Sequence, residues 1–156
     1  DALRALERAA NFAPGNIRAH LELARLYRKM GRIGDAIAEI ELAKHYGEPN
    51  RDAKLLLAQL YVDKGSNLEL AEKYLNELTA GGVVDPEAMK AKVRLFMFKK
   101  DFGAAGRVVE QLEEVFPEDE DVRRLKAELA DRRRKASKKR GHRRKGGGFK
   151  IIRMDQ

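Results

Sequence analysis

The chain of 156 residues has no cysteine and no tryptophan, only 4 prolines, and aromatics at 6%. Without cysteine there is no disulfide framework, no thiolate metal site and no thiol nucleophile, and the redox compartment is left open. The short supply of proline leaves room for uninterrupted helices. No apolar run approaches the length of a membrane span, and no signal peptide is visible. A reducing cytoplasm is compatible with this composition and is the expected location. Sustained two-residue alternation of apolar and polar positions, which half-buried strands need, is absent from the body of the chain.

What is present is self-similarity. Leu23, Ala24 and Tyr27 recur as Leu57, Ala58 and Tyr61, a displacement of 34 residues. Gly31 and Gly65 follow at the same offset, and each precedes a second amphipathic stretch, 35–45 and 69–78. The unit reads as helix, turn, helix. Such a unit cannot bury its apolar face alone, so neighbours stack into a solenoid with an extended concave surface. A weaker third copy has Val93 and Phe96, then Phe102, Ala105, Val109, Leu112 and Pro117. The second-helix residues Ala36, Ile40 and Ala43 return as Ala71, Leu75 and Leu78, and the first of these arrives 35 residues later. Ser66 and Asn67 account for the extra residue, as a lengthened surface turn. Asp85 followed by Pro86 reads as an N-cap with proline at the first helical position, and Gly31 and Gly65 sit where a left-handed residue ends a helix.

These residues resemble the tetratricopeptide repeat, whose signature places a small residue and an aromatic in the first helix, then Ala, a large apolar residue, Ala and a closing Pro in the second. The resemblance covers 1–117 and implies an all-α, right-handed superhelical solenoid. The chain departs from the pattern where the family has an early aromatic, carrying His20, Lys54 and Met89 there, and at the small position of the third copy, Val93. Ala2, Leu6, Ala9 and Pro14 match a second helix without its first, so the expectation is a piece of a longer protein with repeats upstream. The expected organisation is 1–16 the second helix of a truncated repeat, 17–50 and 51–85 full repeats, and 86–119 a degenerate repeat. A capping helix, 120–136, and a flexible basic tail, 137–156, complete it.

Charge divides the chain. Residues 132–156 contain 12 Lys or Arg against the single acid Asp155, so they carry +11 of a net +8 and the rest is left at −3. In 121–136, Val122, Leu125 and Leu129 have helical spacing, as a helix covering the last repeat requires. Its continuation, 132–145, is expected to fray, because like charges repel and nothing apolar anchors them.

Three candidate sites follow. By analogy with the family, the ligand-facing residues lie on the first helix of each repeat. These are Arg18, Leu21, Arg25, Arg28 and Lys29, then Asp52, Leu55, Gln59, Val62 and Asp63, then Glu87, Lys90, Arg94, Met97 and Phe98. The first and third sets give a basic lining with apolar spots that suits a protein partner offering an acidic helix or peptide. Charges that merely solvate a helix face, with Phe98 packed on the cap, are the plain alternative. Relatives that clamp a chaperone's terminal carboxylate use Lys and Asn where this chain has Leu21 and Arg25, so that clamp is not expected.

The second site is the polyanion tail: Arg132, Arg133, Arg134, Lys135, Lys138, Lys139, Arg140, Arg143, Arg144 and Lys145. It suits nucleic acid, an anionic membrane surface or an acidic protein. About 8 phosphate contacts imply a log–log salt slope of roughly −7. No aromatic that would stack on bases is interleaved in 132–145, so sequence-specific reading of RNA is not expected. A solubilising tail, or in a eukaryote a nuclear-import signal, is the alternative. The third is a linear motif after the glycines 146–148, namely Phe149, Ile151, Ile152 and Met154, expected to dock on a partner, on a second copy or on the chain's own last helix. A homo-oligomer built through repeat ends or tail exchange is compatible with these readings. His20, His45 and His142 are scattered, and no phosphate loop, nucleophile elbow or metal-ligand spacing occurs, so neither an enzyme nor a cofactor is expected.

Overall fold

In a computed structural model, which describes residues 1–145 and side chains through Arg140, the chain is a row of helices. They are α1 (Ala2–Phe12), α2 (Ile17–Lys29), α3 (Ile33–Lys44), α4 (Arg51–Lys64), α5 (Leu68–Leu78), α6 (Pro86–Phe98), α7 (Phe102–Val115) and α8 (Glu120–Lys145), with a 3₁₀ turn at Ala80–Gly82. Among the described residues there is no strand, and no helix is long and apolar enough to cross a membrane.

The helix starts show why the period is what it is. Asn16, Asn50, Asp85 and Asp119 each accept backbone N–H bonds from the first turn of α2, α4, α6 and α8, at the amides of Ala19, Ala53, Ala88 and Val122 among others. Each capping oxygen satisfies donors that have no partner within the helix. The ends repeat too. The amides of Arg32, Ser66 and Asp101 return to the carbonyls of Tyr27, Tyr61 and Phe96, closing the same C-terminal loop around Gly31, Gly65 and Lys100. All three of these residues have positive φ, 75°, 72° and 61°. The extra residue of the second repeat lies in the turn before α5, since Asn67, not Ser66, takes the N-cap position of that helix.

Packing divides the helices into two layers. α2, α4, α6 and α8 touch one another in succession, whereas α1, α3, α5 and α7 each lie against the even-numbered helices beside them. Closer contact along the even row bends the stack so that this row forms its inner layer. α8 is therefore more than a lid. It occupies the first-helix position of a further repeat, packed on α7 and α6 as α6 is packed on α5 and α4. The core runs as two clusters, to both of which α6 contributes. The front one includes Leu23, Ile40, Leu57, Tyr61, Leu75 and Leu95, and the rear one Val93, Met97, Val109, Leu112, Val122, Leu125 and Leu129.

The C-terminal expectation needs correction. The covering helix does not stop near 136 and fray; α8 continues to Lys145. Its early turns are held by the buried row Val122, Leu125 and Leu129. Ion pairs from Arg132 to Glu128 and from Arg134 and Lys135 to Asp131 offset part of the repulsion at its middle. The linear motif Phe149, Ile151, Ile152 and Met154 lies outside the described residues.

Candidate functional site: the inner layer and the basic helix

The inner layer is built by the even helices, and the positions nominated on them separate into three groups. Arg18, Arg25, Lys29, Arg94 and Phe98 are exposed. Arg28 and Gln59 are half-buried and joined: the Arg28 guanidinium donates to Asp63 at 2.8 Å and to Gln59 at 2.8 Å, linking α2 to α4. Leu21, Lys90 and Met97 are buried, at 4%, 5% and 3% exposure, and are not available to a ligand. Leu21 belongs to the front core and Met97 to the rear one. Packing between successive inner helices buries one flank of each. Lys90 occupies, in α6, the place that Leu21 has in α2. Its ammonium is taken by Asp119 at 2.8 Å, with Glu87 at 3.4 Å and Asp121 at 3.6 Å. Burial pushes the Lys90 ammonium down, but the Asp119 bond and the surrounding carboxylates outweigh it and hold it above the ordinary value. Lys90 thus fastens α6 to the start of α8.

What remains on the inner face is narrower than the basic lining expected. Arg25 is paired with Glu22 of its own helix at 2.6 Å. Arg94 makes no hydrogen bond or ion pair among the described residues, yet it lines a shallow niche with Arg28, Gln59, Val62, Asp63 and Ala91, from three successive inner helices. One turn further along α6, Phe98 is 47% exposed, and its ring lies over Gly65. A Cβ on Gly65 would stand 2.6 Å from that ring. The arrangement offers a guanidinium and an aromatic edge one helical turn apart, a pairing suited to an acidic and an apolar side chain at the same spacing.

Polar joints between repeats escaped the sequence reading. Tyr27 donates to Glu7 and Tyr61 to Glu41, each from a first helix to the second helix 20 residues earlier. Burial and the Glu41 bond push the Tyr61 hydroxyl up; for Glu41 burial pushes upward, but bonds from Tyr61 and Lys44 outweigh it and hold the carboxyl low. The 34-residue recurrence of Glu7 and Glu41 was the available signal. The third copy has Phe96 and Asn76 at both places, so hydroxyl and carboxylate are missing together.

His20 is 1% exposed, with Nε2 at 3.0 Å from the Pro14 carbonyl and Nδ1 at 3.0 Å from Glu39. Both nitrogens hold neighbouring elements together and neither faces a cavity. Among the described residues no group of His, Asp or Glu is placed to hold a metal ion.

The basic residues form the exposed middle of α8. Arg132, Arg133, Arg134, Lys135, Lys138, Lys139 and Arg140 are all exposed. Arg133 donates to the Phe102 carbonyl at the start of α7, lying over Gly106, where a Cβ would collide with it. Arg143, Arg144 and Lys145 fall on the last turn of the helix.

The class is thus an all-α solenoid of stacked helical pairs with a basic helical extension. A family model for the tetratricopeptide repeat matches residues 1–60. A mouse protein, tetratricopeptide repeat protein 14, is 33% identical over 76 residues, which is 49% of this chain and 10% of that protein. A tetratricopeptide repeat protein from Parabacteroides merdae superimposes with a TM-score of 0.77 at 18% identity, covering 88% of this chain and 53% of that one. PilF of Pseudomonas aeruginosa gives 0.64 at 19% identity, covering 81% and 58%. Residues 1–60 thus match the tetratricopeptide-repeat family, and the rest of the repeat body continues the same fold. The chain spans about a tenth of the curated relative and little more than half of each solved one. Repeats of this family generally mediate protein–protein contacts and act as non-enzymatic scaffolds.

Proposed function

We propose that the inner layer of α2, α4 and α6 is a scaffold surface that takes an acidic segment of a partner protein. The observation that carries this is Arg94, an exposed and uncommitted guanidinium one turn from Phe98 and beside the Arg28–Asp63 bridge. A partner carboxylate reaching Arg94 also approaches Arg28, so one acidic side chain meets two cations, while an apolar neighbour rests on Phe98. The test is titration of the isotope-labelled protein with a synthetic helical peptide bearing two Glu and a Leu on one face. Shift changes centred on Arg94 and Phe98, lost in Arg94→Glu with the fold intact, are expected. Changes confined to α1, α3, α5 and α7 refute the reading.

A second reading rests on a different element. α8 presents seven exposed Lys or Arg between 132 and 140 and no acid from 132 until Asp155, which favours a polyanion contact independent of the inner layer.

A further inference from the structure

We infer that the basic half of α8 is a preformed helix for the major groove of duplex DNA, an inference that rests on the polyanion reading. Two features set the direction in which it leaves the body. The buried row Val122, Leu125 and Leu129 lays the first turns on α6 and α7. Arg133 then closes on the Phe102 carbonyl across Gly106, whose missing side chain makes the room. Beyond that clamp the helix continues to Lys145, an overhang of about 18 Å at 1.5 Å per residue.

The charge on this overhang has no preferred side. At about 100° per residue, positions 134, 135 and 138–140 leave no sector wider than about 120° without a cation. Only Ala136 and Ser137 interrupt the basic residues between 132 and 140. A flat lipid surface meets about half of such a helix at a time, and helices that bind in the interface need an apolar stripe to sink into it, which is absent here. Local acids, Glu128 and Asp131, are engaged at the root of the extension and none lies along its tip, so positive charge accumulates outward.

A helix charged on every side is complementary to a partner that wraps it. An α-helix is about 10–12 Å across, and the major groove of B-form DNA is about 12 Å wide and 8.5 Å deep, with phosphates on both walls. The major groove of an A-form RNA duplex is deep and narrow, and does not admit it without distortion. Between 132 and 145 there is no Asn or Gln, the side chains that pair with adenine, so the contact is with phosphates first and is general in sequence. About six phosphate contacts over the helix give a log–log salt slope near −5.

The experiment uses the full chain with a fluorescent duplex DNA of about 20 base pairs, followed by anisotropy through a salt series. An RNA duplex of matching sequence and phosphatidylcholine–phosphatidylglycerol vesicles are the parallel arms. Two variants separate helix from charge. Ser137→Pro keeps every cation and breaks the helix outside the core, with the melting curve of the body as control. The double variant Lys139→Ala, Arg140→Ala keeps the helix and removes two cations. The expected results are DNA affinity at least about tenfold above that for RNA or vesicles, and a loss of about tenfold or more in Ser137→Pro. The double variant should flatten the salt slope by about 2. Undiminished binding by Ser137→Pro makes the segment a flexible polycation and overturns the groove inference while the polyanion reading stands. Equal or tighter binding to RNA or vesicles does the same. Failure of the unaltered protein to bind any of the three removes both.

Discussion

The first two repeats and the third share their helix order, their N-terminal caps and their C-terminal loops, yet the third has lost much of what secures the others. Where the first two have Leu23 and Leu57, the third has Lys92. Gly31 and Gly65 give way to Lys100, and the tyrosine–glutamate joints to Phe96 and Asn76. Lys92 is half-buried, its ammonium bonded to Thr79 at 3.1 Å, and burial pushes it below the ordinary value. Lys100 holds a φ of 61° that costs a side chain about 1–2 kcal/mol. The third repeat persists because its packing is supplied from outside, by α8 through Val122, Leu125 and Leu129 and by the ion pairs of Lys90. The signature is thus a sufficient way to join repeats, and a covering helix can replace part of it.

The comparison breaks most sharply at the leucine position. Leu57→Ala removes a fully buried side chain and should cost about 2–5 kcal/mol in chemical denaturation. Lys92→Leu, in contrast, should stabilise the protein by about 1 kcal/mol or more, since it replaces a partly desolvated ammonium by an apolar group. A destabilised Lys92→Leu would mean that the lysine is required where it stands.

Next comes the left-handed position. Gly65→Ala meets both the positive φ and the Phe98 ring, and should lower stability by about 1–2 kcal/mol. Lys100→Gly relieves the same backbone conformation and should raise the melting temperature, with a gain of about 1 kcal/mol. Changes of the same sign in the two variants would show that the C-terminal loops are not equivalent.

The tyrosine joint has a smaller effect. Tyr61→Phe leaves the Glu41 carboxylate without one of its donors and should cost about 1–2 kcal/mol. Installing Phe96→Tyr together with Asn76→Glu should recover part of a joint in the third repeat, and a double-mutant cycle measures the coupling.

Acid sharpens the same contrast most gently. The Glu41 carboxyl is held below its ordinary value of 4.5. The stability it contributes is therefore complete above that pH and lost as the pH falls through the lowered folded value. Between about pH 5 and 3 the melting temperature of the unaltered protein should fall further than that of Glu41→Gln. Identical pH profiles would remove Glu41 from the account.

The residues that were legible in the sequence are those whose role is local or repeats. Asp85 and Pro86 announce a helix start through capping chemistry alone, and Gly31 and Gly65 a helix end. Tyr27 and Tyr61 stand out because the period brings them back. The candidate site was less legible. Arg94 and Phe98 share a face by helical spacing, and both are exposed. Leu21, Lys90 and Met97 satisfy the same spacing and are buried, because spacing identifies a face without saying what packs on it. Asp119 was hidden among the acids of 118–121, although it continues the series Asn16, Asn50 and Asp85.

By itself the sequence determined the helical repeat, its period, its turns and the split between a mildly acidic body and a basic extension. These depend on interactions within a few residues or on recurrence along the chain. Only the tertiary structure decided that α8 takes the place of a further first helix, that Lys90 joins it to α6, and that Arg94 stays uncommitted among the described residues. It also decided that 132–145 continues as a helix. Each of these depends on which surfaces meet across the stack, and burial and charge compensation at those contacts are properties of pairs of elements.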